Sequence, residues 1–194
     1  MDVRKEIEDA FRSCMEESEL DIALSYSMPS GYEDAFGTFD ITCKTLFLND
    51  KELKSRPVYE SLYYFYHEMR HAEQYLHPEW FERDIQKSIP YVILYDGTCF
   101  KLADGKWLEC RLTGDQDWFS LVYQSLPYEL DANRYARERV KACMPEWEKQ
   151  IEDLCRFWMP GEVISEEELE EVFDRIDRAV GKDRSCREWE EDIG

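Results

Sequence analysis

The chain has 194 residues, 43% hydrophobic and 14% aromatic, which is enough apolar matter for a real core and too much for a disordered chain. Its 44 acidic and 24 basic residues leave a formal charge of −20. That argues against nucleic-acid or anionic-membrane binding, both of which need basic surface, and suits a basic protein or peptide.

The seven cysteines are odd in number, widely spaced and without a C-x-x-C pair, so neither a disulfide framework nor a cysteine zinc knuckle is expected. No apolar run follows the charges of the N-terminal stretch, and no stretch of membrane-spanning length appears. Reduced thiols in the cytoplasm are the expectation.

Val3, Ile7, Ala10, Phe11 and Cys14 recur at helical spacing and predict a helix over 3–17. Asp21 to Met28 reads as a strand broken by Pro29-Ser30-Gly31. Thr38 to Leu48 alternates with period two and predicts a second strand, ended at Asn49-Asp50. In a peptidase, a strand placed just before a metal-binding helix can pair with an extended substrate backbone.

That helix is expected to begin near Pro57, a residue suited to a first helical turn. Val58, Leu62, Phe65, Met69, Ala72 and Leu76 make an apolar stripe; Tyr63, His67, His71 and Gln74 make a neighbouring face. His67-Glu68-Met69-Arg70-His71 is an H-E-x-x-H motif. Four residues apart on a helix, two imidazoles sit one above the other and can share a zinc ion, with the intervening glutamate placed to take a proton from water. Pro78 limits the helix, since the residue before proline is pushed out of helical geometry.

Residues 79–117 read as an insertion containing a β-hairpin, with Ala103-Asp104-Gly105-Lys106 as its turn. A helix then runs from Leu126 to Cys143, and Glu129, Ala132, Asn133, Ala136, Val140 and Cys143 fall on one of its stripes. A carboxylate on a small apolar face is expected to be paired or bound to metal. Catalytic zinc takes three protein ligands, which makes Glu129 the expected third. Asn133 and Asp131 are placed to orient a histidine from behind. Tyr128, Tyr135 and Arg70 are candidates to stabilise a developing oxyanion.

A further helix is read over Glu146–Trp158. The last opens with a capping box at Ser165-Glu166-Glu167-Glu168 and is expected to stop at Gly181. Residues 145–194 hold 17 acidic and 7 basic side chains, so about half of the negative excess lies there.

With both motifs in hand, the chain resembles a gluzincin-type zincin metallopeptidase and, more narrowly, the ImmA/IrrE family of small cytoplasmic metallopeptidases. The resemblance rests on His67-Glu68-Met69-Arg70-His71 and on Glu129-Leu130-Asp131-Ala132-Asn133-Arg134-Tyr135-Ala136, and covers roughly residues 20–143. It implies zinc ligation by His67, His71 and Glu129, general-base catalysis by Glu68, and cleavage of peptide bonds in a protein substrate. The chain departs from the family at Arg70, where glycine is usual, and in its long gap between His71 and Glu129. The spacing of His67, His71 and His77 also fits a metzincin, with His77 as third ligand, although Gln74 stands where the redirecting glycine belongs.

The expectation is therefore an α+β fold. A zincin-like domain over 1–144 has a short mixed or antiparallel sheet, and an acidic helical extension over 145–194 packs on it. It would bind one Zn2+ per chain and act on a protein or peptide substrate, with no nucleic acid and no membrane. The contrasting expectation is a non-catalytic acidic interaction module, such as a nucleic-acid mimic, on the same scaffold.

Overall fold

The computed structural model describes residues 2–191, and side chains as far as Gly181. In chain order the elements are α1 (Val3–Ser18), β1 (Ala23–Ser25), β2 (Gly37–Asp40), β3 (Thr45–Leu48), α2 (Asp50–Lys54), α3 (Val58–Leu76), α4 (Arg83–Ser88), β4 (Tyr91–Ile93), β5 (Thr98–Ala103), β6 (Lys106–Arg111), α5 (Gln116–Ser125), α6 (Pro127–Cys143), α7 (Glu148–Trp158) and α8 (Glu166–Glu191). The fold is α+β, with two three-stranded sheets. Among the described residues no helix is long and apolar enough to cross a membrane.

The chain divides into two compact units, residues 1–82 with 130–159, and residues 83–129 with 160–194. In the first, a mixed sheet runs in the order β1-β3-β2, with β1 parallel and β2 antiparallel to the central β3. The 19-residue α3 packs against α1, β2, β3 and α7. Phe65, Met69 and Ala72 are fully buried, as expected of the apolar stripe, but so are Tyr63 and Gln74 on the neighbouring face. The helix is therefore covered on more faces than one stripe accounts for. It ends where expected: the His77 N–H closes the last bond to the Glu73 carbonyl at 2.8 Å, and Pro78 follows.

The strand expected over Thr38–Leu48 is in fact two strands joined by a tight turn. Asp40 accepts from the Thr42 N–H at 2.7 Å and from its hydroxyl at 2.6 Å, and Lys44 takes a left-handed φ of 48°. This Asx-type turn diverts the backbone without glycine or proline. It also changes which parity faces the core: Phe39 is buried in β2, but Leu46 and Leu48, not Phe47, are buried in β3.

In the second unit, β4, β5 and β6 form an antiparallel meander. The hairpin turn falls at Asp104-Gly105 as expected, with φ of 52° and 73°, the pair of positive values a type I′ turn needs. The Ser165 capping box also forms: Glu168 N–H donates to Ser165 Oγ at 3.2 Å, and the Glu168 carboxylate accepts from Ser165 N–H at 2.9 Å. However, α8 does not stop at Gly181. A glycine inside a helix costs only about 1 kcal/mol, and Gly181 does not adopt the left-handed conformation by which a glycine commonly ends a helix.

Candidate metal centre

α3 carries His67 and His71 one turn apart, and their rings meet edge to face with centroids 4.5 Å apart. The two Nε2 atoms lie 3.0 Å from each other. Two nitrogens bound tetrahedrally at ~2.0–2.1 Å from zinc lie ~3.3 Å apart, so the imidazoles already converge as two ligands of one ion would.

Glu129 comes from the first turn of α6, which opens on Pro127, and the helix N-terminus favours a negative charge there. One ligand atom from each of His67, His71 and Glu129 lies within 4.8 Å of the others. His71 is 7% and Glu129 4% exposed. A carboxylate so buried is stabilised by positive charge close by, and two imidazole nitrogens with one carboxylate are a donor set suited to a divalent ion. Among the described residues this is the one such group of three or more. It can hold one metal ion.

Behind His71 lies a chain of polar contacts. His71 Nδ1 is 2.8 Å from Gln74 Oε1, and Gln74 Nε2 donates to Asp131 Oδ2 at 2.9 Å. Arg70 donates from Nε to Asp131 Oδ2 and from Nη1 to Glu73, each at 2.7 Å. Ser18 donates to Glu73 at 2.6 Å. The Arg70 guanidinium also lies over the rings of Phe81 and Tyr135, at 4.5 and 4.7 Å from their centroids. Burial opposes its charge, but the bonds to Asp131 and Glu73 outweigh that and hold it above the usual arginine range.

The other residues singled out in the sequence lie as follows. Asn133 accepts from the Tyr63 hydroxyl at 2.9 Å, which ties α6 to α3. The Tyr128 hydroxyl donates to the Tyr91 carbonyl at 3.1 Å. The Tyr135 ring has Arg70 on it and Arg139 at 5.7 Å, and burial pushes its hydroxyl up. His77 caps the end of α3, stacked on Trp80 with ring centroids 4.0 Å apart and within 3.2 Å of Glu79; it is not in the metal-capable group. Glu68 packs beside β2: a Cβ built on Gly37 would lie 3.0 Å from Glu68 Cγ and 2.9 Å from the Phe47 carbonyl oxygen.

Two contacts near the group are not carried by the sequence pattern. Gln74 lies one turn beyond His71, and its role emerges only once Asp131 is seen beside it. The Tyr95 hydroxyl is pushed up first by burial and then by the charge of Glu129, and its ring meets Tyr123 edge-on. In the sequence Tyr95 only closes an apolar run. In comparisons with known proteins, no family model, no curated protein and no solved structure matches the chain.

Proposed function

We propose that the chain is a zinc-dependent peptidase, with His67, His71 and Glu129 as ligands and Glu68 as general base. The observation that carries this reading is the convergence of one atom from each of the three ligands within 4.8 Å, on an H-E-x-x-H helix whose glutamate has no place in that group. The resemblance of both motifs to the ImmA/IrrE family supports it further.

His67, His71 and Glu129 would hold the zinc, which would supply Lewis acidity, lowering the pKa of water and polarising a carbonyl. Glu68 then takes the proton from water and hands it to the leaving amine. Two histidines and one carboxylate are the number and kind of protein donors that a catalytic rather than a structural zinc would take. Among the described residues β2 pairs with a neighbour on one side only, and it runs against Glu68 at Gly37. An extended peptide adding to that edge would bring its backbone to the general base. The charge of −20 favours a basic substrate.

The test is zinc content together with cleavage of a quenched-fluorescent peptide library rich in Lys and Arg. Wild type should carry about one zinc per chain. Glu68→Gln should keep that zinc and lose at least ~100-fold in turnover. Glu129→Ala should lose the zinc and His77→Ala should keep it. A folded wild type that takes up no zinc would sink the enzyme reading and leave an acidic interaction module in its place.

A further inference from the structure

We propose that Gln74 is the positioning residue for His71, and that Asp131, itself clamped by Arg70, sets which way Gln74 faces. The inference rests on the metal reading for its effect on affinity, but its effect on the histidine stands without any metal.

Arg70 can only donate, and it reaches Asp131 from Nε at 2.7 Å and from Nη2 at 3.4 Å. An ionised carboxylate can only accept. The group of Gln74 that faces Asp131 at 2.9 Å must therefore be the amide nitrogen. The amide oxygen is then the atom 2.8 Å from His71 Nδ1, so Nδ1 must carry the hydrogen. In neutral imidazole only one nitrogen is protonated, which leaves His71 Nε2 with its lone pair directed at His67 Nε2, 3.0 Å away. His71 is thus preset in the tautomer a metal ligand needs, before any ion arrives.

A carboxylate commonly orients a ligating histidine directly; here a glutamine stands between the two. Gln74 is fully buried, and the Arg70 and Asp131 side chains are 25% and 20% exposed, so solvent gives the amide little alternative. The arrangement also links the two ligand-bearing helices, because Asp131 lies two residues after Glu129 on α6. Arg70, the residue that stands where glycine is usual in the resembling family, is the outer anchor.

The experiment pairs imidazole nitrogen NMR on 15N-histidine-labelled, metal-free protein, taken above the imidazole titration range, with zinc affinity by chelator competition. His71 in wild type should be the Nδ1–H tautomer. Gln74→Met, close in volume but unable to accept from Nδ1, should release the Nε2–H form and weaken zinc binding about 10–100-fold. Asp131→Asn should do the same more weakly, and in the double variant should add nothing to Gln74→Met, since both act along one line. Nε2–H in wild type overturns the proposal even where no variant folds. So does a folded Gln74→Met with unchanged tautomer and affinity, or additivity in the double variant. A wild type that binds no zinc yet holds His71 as Nδ1–H sinks the zinc reading while supporting the role of Gln74.

Discussion

Arg70 is the side chain on which the most distant parts of the site depend. It pairs with Asp131 on α6 and Glu73 on its own helix, and it lies on two aromatic rings. Its side chain is 25% exposed, against 5% for Glu73 and 20% for Asp131. Removing it leaves two largely buried carboxylates close together without their shared cation, which costs more than the pair itself contributes. Arg70→Ala should therefore destabilise the fold by about 2–4 kcal/mol, read as a lower urea midpoint with unchanged m-value. Arg70→Lys should recover less than half of that. A single ammonium cannot reproduce the fork that addresses Asp131 and Glu73 at once, nor the planar stacking on Phe81 and Tyr135.

At this scale the group that can hold a metal is legible in the sequence for a plain reason. The spacing of His67 and His71 fixes them on one helical face whatever the rest of the chain does, and Glu129 stands out as a carboxylate on a stripe with Ala132, Ala136 and Val140, all fully buried. Spacing also puts Gln74 on that face, but neither its contact with Asp131 nor the nearness of Tyr95 to Glu129 can be found that way. Each meets a neighbour distant in sequence, Asp131 for Gln74 and the charge of Glu129 for Tyr95, and one-dimensional spacing carries no trace of such a neighbour.

Among the elements, β2 and α3 are fitted to each other at Gly37. A side chain at this position would meet the Phe47 carbonyl at 2.9 Å, Glu68 Cγ at 3.0 Å and Leu48 Cδ2 at 3.0 Å. The first is backbone of the paired strand and cannot rotate away. Gly37→Ala must therefore shift β2 or turn the Glu68 side chain, at a cost of about 1–3 kcal/mol as for other overpacked positions. If Glu68 is the general base, the same variant should lose turnover well beyond what its stability explains, while zinc content stays at wild-type level. Thermal melts, zinc analysis and the peptide assay separate the two effects.

The helices of this fold are readable because caps and prolines mark them: Pro57 and Pro78 bracket α3, and Ser165 opens α8. The β2–β3 hairpin is not, since its turn is made by Asp40, Thr42 and Lys44 while the apolar alternation of Phe39, Ile41, Cys43, Thr45 and Phe47 continues across it. Period-two patterning survives a turn that local hydrogen bonds impose, so it predicts extended backbone without saying where that backbone reverses. α2, α4 and α5 escaped for a related reason. The first two span 5 and 6 residues, too short for a helical period to repeat. α5 is capped by Asp115, whose carboxylate accepts from the Asp117 and Trp118 N–H groups, in a stretch that reads equally well as a polar loop.

Across the whole molecule the dominant quantity is charge. With 44 acidic and 24 basic residues, repulsive pairs outnumber attractive ones. The ion pairs that do form are often exposed, such as Lys5–Asp9 with side chains 71% and 48% accessible, and such pairs contribute little. Self-repulsion on this scale destabilises the compact state, because unfolding lets like charges separate. Salt shortens the reach of that repulsion: the Debye length falls from ~30 Å at ~0.01 M to ~8 Å at ~0.15 M. The buried contacts of Arg70 are screened far less than the surface charges. Sodium chloride should therefore raise the midpoint of thermal unfolding by several degrees over that range. A chain balanced by its surface ion pairs would instead melt lower or not move. The same screening bears on the proposed substrate. If attraction to a basic peptide contributes to binding, KM should rise with salt even as the protein becomes more stable, and kcat should change little, since the proposed proton transfer by Glu68 acts over a few ångströms, shorter than the Debye length. A KM indifferent to salt would mean that the acidic surface serves solubility and takes no part in choosing the substrate.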